Sequence, residues 1–402
     1  MRFRISTIAL AVAAALPSLA AAVDFSYSGF STAAYAQSDT DDAQVGYTGQ
    51  PNGIDSDGTF AIDSKLGVQV TAKFNDMLSA TVQGVAYADL TGDWEPHVDW
   101  AYVRFQPVSS VSLRAGYLRT PTFMYSDSVF VGYANIWVRP PMEVYNMSPV
   151  YQMRGVDATW RGNVGPFSVT VNPYYGDSEV DLDSGSIDVP HWAGIAASAE
   201  KGSFMTRIGY SRVELGSTTA ALEPLVDGLR AVPTMFCANC AYVADRLDMD
   251  GTVVNTMDLG VQYDDGTNFV ATEYAKSDSD DNYLVPTKIG AYLTYGRHVG
   301  SWMPYATYAI SRRETPTTSP IITIPALAAG VDATMAGGYM DQDAYSVGVR
   351  YEVPSFSVLK AALIKLQFDH IDAKDGRGML NNVTAGFDGN VNMVSASFDF
   401  IF

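Results

Sequence analysis

The chain has 402 residues, 44 of them acidic and 25 basic, for a formal net charge of −19. That balance excludes nucleic acid as a partner, because phosphates need a basic surface. Beyond the N-terminal region no stretch approaches about 18 continuous apolar residues, which excludes a spanning helix, yet 47% of the chain is hydrophobic, with 24 Tyr, 18 Phe and 34 Gly.

The chain opens MRFRISTIALAVAAALPSLAAAVDF. Arg2 and Arg4 form a positive n-region, the run from Ile8 to Leu16 is short and apolar, Pro17 breaks it, and Ala20-Ala21-Ala22 offers a cleavage site. This is the pattern of a secretory signal peptide over 1–22, leaving 23–402 as a single domain that works outside the cytoplasm, with the charge at −21 once Arg2 and Arg4 are removed. An exported, acidic, Tyr- and Gly-rich chain without a helical anchor predicts an all-β fold, a transmembrane antiparallel β-barrel of the outer membrane. A closed barrel bonds every backbone group in lipid without helices.

Such a barrel requires segments of about ten alternating residues joined by short turns and longer loops in succession. In TFAIDSKLGVQVTAKF (59–74), Phe60, Ile62, Leu66, Val68, Val70, Ala72 and Phe74 share one face, while Asp63, Lys65, Gln69 and Lys73 share the other. Charges on the polar face suit a wet lumen. The same alternation predicts strands at 24–36, 59–74, 79–89, 98–106, 111–119, 155–162, 167–176 and 191–200, then at 203–214, 253–264, 268–277, 286–297, 301–312, 342–352, 357–371 and 390–402. Short connections, rich in the turn formers Asn, Asp, Gly and Pro, alternate with long ones at 37–58, 90–97, 120–154, 177–190, 215–252, 278–285, 313–341 and 372–389. Both termini fall on the short-turn side. At about 16 strands the interior of a barrel is an aqueous channel.

The C-terminal strand VNMVSASFDFIF and the long third loop after SLRAGYLR give the chain a resemblance to the Gram-negative general porins along its whole mature length. The resemblance implies that Phe398, Phe400 and Phe402 form the signal read by the barrel assembly machinery, that the third loop folds into the barrel to narrow it, and that the protein is a homotrimer. The alternation itself turns Phe398, Phe400 and Phe402 to lipid and Ser397 and Asp399 to the lumen.

The third loop, 120–154, carries Phe123, Met124, Phe130, Ile136, Trp137 and Tyr145. Exposed to water these would be an aggregation liability, so the expectation is that they pack inward; a surface loop covering a subunit contact is the alternative. Folded inward, the loop would present Asp127, Arg139 and Glu143 to the pore. Period-2 assignment puts Lys65, Lys73, Arg104, Arg114, Arg161, Arg207, Arg350 and Lys365 on the lumen side, with Arg104, Arg114 and Arg161 on strands flanking the loop. Opposed charges at a constriction set up a transverse field, and rings of one sign select ions; the bland alternative is that each charge is simply solvated.

The acidic long loops (Asp39, Asp41, Asp42, Asp177, Asp181, Asp183, Asp278, Asp280, Asp281) suit either contact with lipopolysaccharide through divalent cations or plain solvation. Their DSDG and DMDG stretches lack the twelfth-position Glu of an EF-hand, and the four His residues have no ligand spacing, so no metal or other cofactor is expected. Cys237 and Cys240, in CANC, are expected to form a disulfide in an oxidising compartment, with redox or metal roles as alternatives. The stretch 219–232 before them has the helical spacing of a short helix over the mouth. Neither G-x-S-x-G nor a His–Ser cluster points to an enzyme. The expected function is a water-filled pore for passive diffusion of small hydrophilic solutes or ions, with a preference for anionic ones; a substrate-specific porin and a barrel-anchored adhesion or structural protein are the alternatives.

Overall fold

The computed structural model describes residues 23–402 except 48–49, 89–93, 149, 183–184, 217–220, 280–281, 315–320, 337–339 and 355–358. The expected signal peptide, 1–22, lies outside the described residues. The strands are β1 (Asp24–Ser38), β2 (Lys65–Lys73), β3 (Leu78–Ala88), β4 (Trp94–Val108), β5 (Val111–Arg119), β6 (Gln152–Val164), β7 (Phe167–Leu182) and β8 (Gly185–Lys201). They continue as β9 (Phe204–Glu214), β10 (Val253–Asp264), β11 (Asn268–Ser279), β12 (Lys288–Arg297), β13 (Trp302–Arg313), β14 (Gln342–Val353), β15 (Ala361–Ala373) and β16 (Asn390–Ile401). Each pairs with its chain neighbours, and β1 pairs antiparallel with β16, closing a barrel of 16 strands.

Turn chemistry fixes the short connections. Between β10 and β11, Gly266 has φ +77°, a region that favours glycine, and Asp265 Oδ1 accepts from the N–H groups of Thr267 (2.8 Å) and Asn268 (2.6 Å). Those bonds to its charged form hold the Asp265 carboxyl down at about 2.

The two faces of the wall are sorted as lipid requires. Along β10, Met257 and Leu259 are 57% and 54% exposed, while Asp258 between them is 3% exposed. An apolar outer surface with buried inward polar groups inverts the soluble arrangement and matches a bilayer-spanning barrel. Among the described residues no helix is long and apolar enough to cross a membrane.

Every expected strand is present, and the differences are local. β2 starts at Lys65 rather than 59, because Ile62 and Asp63 are drawn inward and buried instead of continuing the ladder. The expected long loop 177–190 is mostly strand: β7 and β8 extend as a hairpin with Val180 opposite Ile187, the alternation carrying on past the wall. The expected loop 90–97 is likewise shortened by β4, which begins at Trp94.

Three helices cover the long-loop mouth. The third loop's own short helix is α1 (Met142–Tyr145); those of the mouth are α2 (Glu223–Arg230), α3 (Cys240–Leu247) and α4 (Pro325–Ala336). Val226, Leu229, Val243, Ala244, Leu247 and Val331 form their shared core. The helix expected over 219–232 is α2, while α3 and α4 were not anticipated. Cys237 and Cys240 are joined in a disulfide inside this core. Arg313 fastens the cap to the wall, donating to the carbonyls of Tyr283 (3.3 Å) and Met335 (3.1 Å).

At the seam, Phe402 N–H donates to Gly29 O (3.0 Å) and Gly29 N–H to Phe402 O (3.1 Å). The final residue is therefore tied to β1. The rings of Phe398, Phe400 and Phe402 follow one another at 5.6 and 6.0 Å on the outer face.

Candidate constriction site

The third loop leaves β5 at Arg119 and returns to β6 at Gln152, and between them it runs inside the barrel. A loop within a membrane-spanning barrel must have its backbone groups satisfied by protein or water. Here the wall supplies the partners. At the loop's start Arg207 of β9, paired with Asp258 of β10, donates to the carbonyls of Pro121 and Thr122. Glu273 of β11 accepts from Met124 N–H (2.6 Å), Tyr145 hydroxyl (2.5 Å) and Tyr292 hydroxyl (3.0 Å). Trp137 Nε1 donates to Thr307 (2.9 Å) and Thr294 (3.1 Å), and Val138 N–H to Gln367 (2.9 Å).

The loop also reaches the seam. Lys365 Nζ donates to Gly132 O (2.6 Å) and Trp137 O (2.8 Å) and lies 3.3 Å from Asp399 Oδ2. Thr32 of β1 donates to Asp399 Oδ1 (2.6 Å), so the network joins loop, β15, β16 and β1. A Cβ at Gly132 would collide with Asp399 and Thr32, so only glycine allows this approach. Apolar packing completes the docking: Phe123, Val129, Ile136, Trp137, Val144, Tyr145 and Met147 share one buried cluster with wall residues such as Ala271, Tyr292 and Met303. The alternative of an outer surface loop is therefore not what the chain adopts.

This docking redistributes the expected pore charges. Of the three on the loop, Asp127 is exposed. Arg139 and Glu143 are only 4% and 3% exposed and do not face water. The reason is that the loop turns this edge to the wall. Arg139 Nε donates to Asp63 (3.0 Å), with Asp369 at 4.0 Å, and Glu143 accepts from Gln342 (2.6 Å). Lys65, Arg207 and Lys365 are likewise buried beneath the loop rather than solvated. Lys73 sits at the short-turn rim with Asp76 (2.8 Å). Arg350 lies against the Tyr133 ring at 5.9 Å and 3.4 Å from Glu352.

The wall of β4 to β6 is different. Arg104 is half-buried and donates to Ser112 (2.9 Å) and Gln106. Arg114 grips the buried Asp157 through Nε (3.0 Å) and keeps a partly exposed side chain beneath the rings of Trp100 and Tyr102 (5.7 and 5.1 Å). Arg161 is exposed and makes no ion pair among the described residues. The charge acting most on Asp127 is that of Arg114, followed by Arg119 and Arg207. Water-facing charge in this part of the lumen is thus three arginines on adjacent strands against one loop carboxylate.

Sequence reasoning missed the wall acids and one pair that hold the loop, Glu273, Asp258, Asp369 and the buried pair of Arg119 with Asp99, and also Asp157, which holds Arg114 on the wall. Their only signal was lumen-side parity in strands, which does not distinguish a solvated carboxylate from one that accepts a loop N–H. Among the described residues no cluster of His, Cys, Asp and Glu could hold a metal ion.

No protein-family model and no curated protein sequence matches the chain. Solved structures do. The anion-selective porin from Comamonas acidovorans aligns over 95% of this chain and 100% of its own, with a TM-score of 0.57 and 13% identity. OmpF of Salmonella typhi, solved with daunomycin, aligns over 94% of this chain and 97% of its own (TM-score 0.56, 12% identity). A loop-deletion mutant of OmpT, an outer membrane protein of Vibrio cholerae, aligns over 95% and 100% (TM-score 0.53, 15% identity). Identities this low speak for fold alone, and the fold is clear: this chain is a closed antiparallel β-barrel with the 16-strand architecture seen in Gram-negative porins.

Proposed function

We propose that the protein is a porin: a passive, water-filled pore for small hydrophilic solutes and ions, with a preference for anionic ones. The observation that carries this reading is the docked third loop, which leaves Arg104, Arg114 and Arg161 as the water-facing charges of one wall with Asp127 opposite. Preorganised charge in a narrow, partly desolvated passage acts more strongly than in bulk water. Solutes pass by diffusion, sorted by size and by this field, without catalysis. Within the same reading 1–22 is a cleaved export signal, Phe398, Phe400 and Phe402 are the assembly signal, the acidic long loops meet lipopolysaccharide, and the functional unit is a homotrimer.

The test is the sign of the reversal potential in a salt gradient across a planar bilayer. Stepwise conductance with anion preference is expected. Strong cation preference would remove the role given to Arg104, Arg114 and Arg161, and silence from heat-modifiable, folded protein would favour a barrel-anchored adhesin. A substrate-specific pore is the second reading, favoured by the α2–α4 cap over the mouth.

A further inference from the structure

On the short-turn side of the docked loop, β4 turns three large side chains to the lumen in succession, Trp100, Tyr102 and Arg104, at every second residue. All three are partly exposed. The two ring centroids lie 6.0 Å apart, close to the width of one sugar ring. From the β5 side Arg114 lies against both rings. On the β3 side Gln83 is in register with Trp100 and Thr81 with Tyr102. Gln83 Nε2 donates to Gln69 of β2 (3.1 Å), and both amides are partly exposed, with further donors and acceptors to offer. Trp100 Nε1 is buried and has no partner; a buried donor of this kind normally meets water or a ligand.

Arg104, at the end of this strip, is positioned without being neutralised. Its partners are Ser112 (2.9 Å) and Gln106, both uncharged, and it makes no ion pair among the described residues. The neighbouring strands β3 and β5 contain no acid. The short turns beside it contain only Asp76, which pairs with Lys73 (2.8 Å). On β4 itself Asp99 is taken by Arg119, and Glu95 lies toward the opposite end. An aromatic strip bordered by neutral amides and closed by a fixed guanidinium has a definite chemistry. The faces of the rings are electron-rich and suit the C–H groups of a sugar ring. A flat aromatic solute would also stack, but it would leave the amides of Gln69 and Gln83 facing it without partners, which is costly. Sugar hydroxyls satisfy them.

We propose that Trp100, Tyr102, Arg104, Gln83 and Gln69 form a station in the lumen for acidic saccharides, sugars that carry a carboxylate. The sugar ring stacks on Trp100 and Tyr102, its hydroxyls meet Gln83 and Gln69, and its carboxylate takes a charge-assisted bond from Arg104. The strip starts at Trp100, beside the Asp99–Arg119 pair under the loop, and ends at Arg104 near the short turn after β4. A solute is therefore held along the open wall as it passes the loop. The proposal rests on the pore reading and names the class of solute that the open wall favours.

The experiment titrates open-channel block by digalacturonate in a planar bilayer, with maltose as the neutral sugar and benzoate as the flat acid. The wild type is compared with Trp100→Ala, Trp100→Phe and Arg104→Gln. Heat-modifiable gel migration first establishes that each variant is folded, and Gln83→Ala replaces any that is not. Digalacturonate should block at lower concentration than maltose or benzoate. Its block should weaken about fivefold in Trp100→Ala, stay largely intact in Trp100→Phe, and weaken about tenfold in Arg104→Gln. Equal block in wild type and Trp100→Ala overturns the station while leaving the pore. Benzoate as the strongest blocker overturns the saccharide class, and maltose block equal to that of digalacturonate overturns the acidic one. If the folded wild type does not conduct, the pore reading fails instead, and calorimetric titration of the detergent-solubilised protein with digalacturonate decides the station by itself. Binding that weakens in Trp100→Ala supports it there, and no binding overturns it.

Discussion

Two walls of one barrel, built by the same alternation, treat their inward charges in opposite ways. On the wall of β11 to β16, inward polar groups are buried under the third loop: Glu273, Lys365 and Asp399 are each 1% exposed or less. On the wall of β4 to β6, Arg104, Arg114 and Arg161 keep contact with water. A residue's position on the lumen face therefore does not fix its role; what covers it does. Buried charges hold the loop, because an unpaired charge in such a place is costly, and the open ones are left to act on solutes.

The largest way to break the comparison is to remove the cover. Deleting 123–147 turns the docked wall into a second wet wall. Single-channel conductance should rise several-fold, and anion preference should fall as Glu273, Asp369 and Asp399 meet water. Unchanged conductance would mean that the loop does not narrow the pore. A smaller break acts on one anchor. Arg139→Ala leaves Asp63 buried without its partner, a change of about 3–5 kcal/mol against docking. The expected result is a flickering channel and protease cleavage within the loop. Adding Asp63→Asn should recover part of the loss, since the uncompensated charge is then gone as well. Additive damage in the double variant would show that the pair does not act as a unit.

The same contrast explains what could be read from the sequence. The barrel was legible because period-2 alternation is a property of each segment alone. β10 runs from Val253 to Asp264 as expected, and β5 from Val111 to Arg119. Strand ends were less legible where a long-range partner intervenes: Asp63 leaves the ladder to meet Arg139, 76 residues away. The inward loop was legible from its aromatic content. Its geometry was not, because whether Arg139 meets water or Asp63 depends on which wall the loop lies against. The helices α3 and α4 escaped notice since eight and twelve residues inside long loops give a weak periodic signal.

The smallest expected effect sharpens the comparison most. Arg161 lies on β6, has an exposed side chain and makes no ion pair among the described residues. Replacing it with Gln removes a charge from the open wall without uncovering a buried partner. Stability should change by no more than about 0.5 kcal/mol, as for surface substitutions generally, and the heat-modifiable transition should stay where it is. The reversal potential should nevertheless move toward cation preference, by less than for Arg114→Gln, because Arg161 sits beyond the Val111–Trp160 pair, beside the short turn at Ser110. Arg114→Gln should also destabilise, because Asp157 then loses its partner. Fold without selectivity at Arg139, selectivity without fold at Arg161, and both at Arg114 would mark out the docked wall, the open wall and the boundary between them. A stability loss at Arg161 as large as that at Arg139 would erase the distinction.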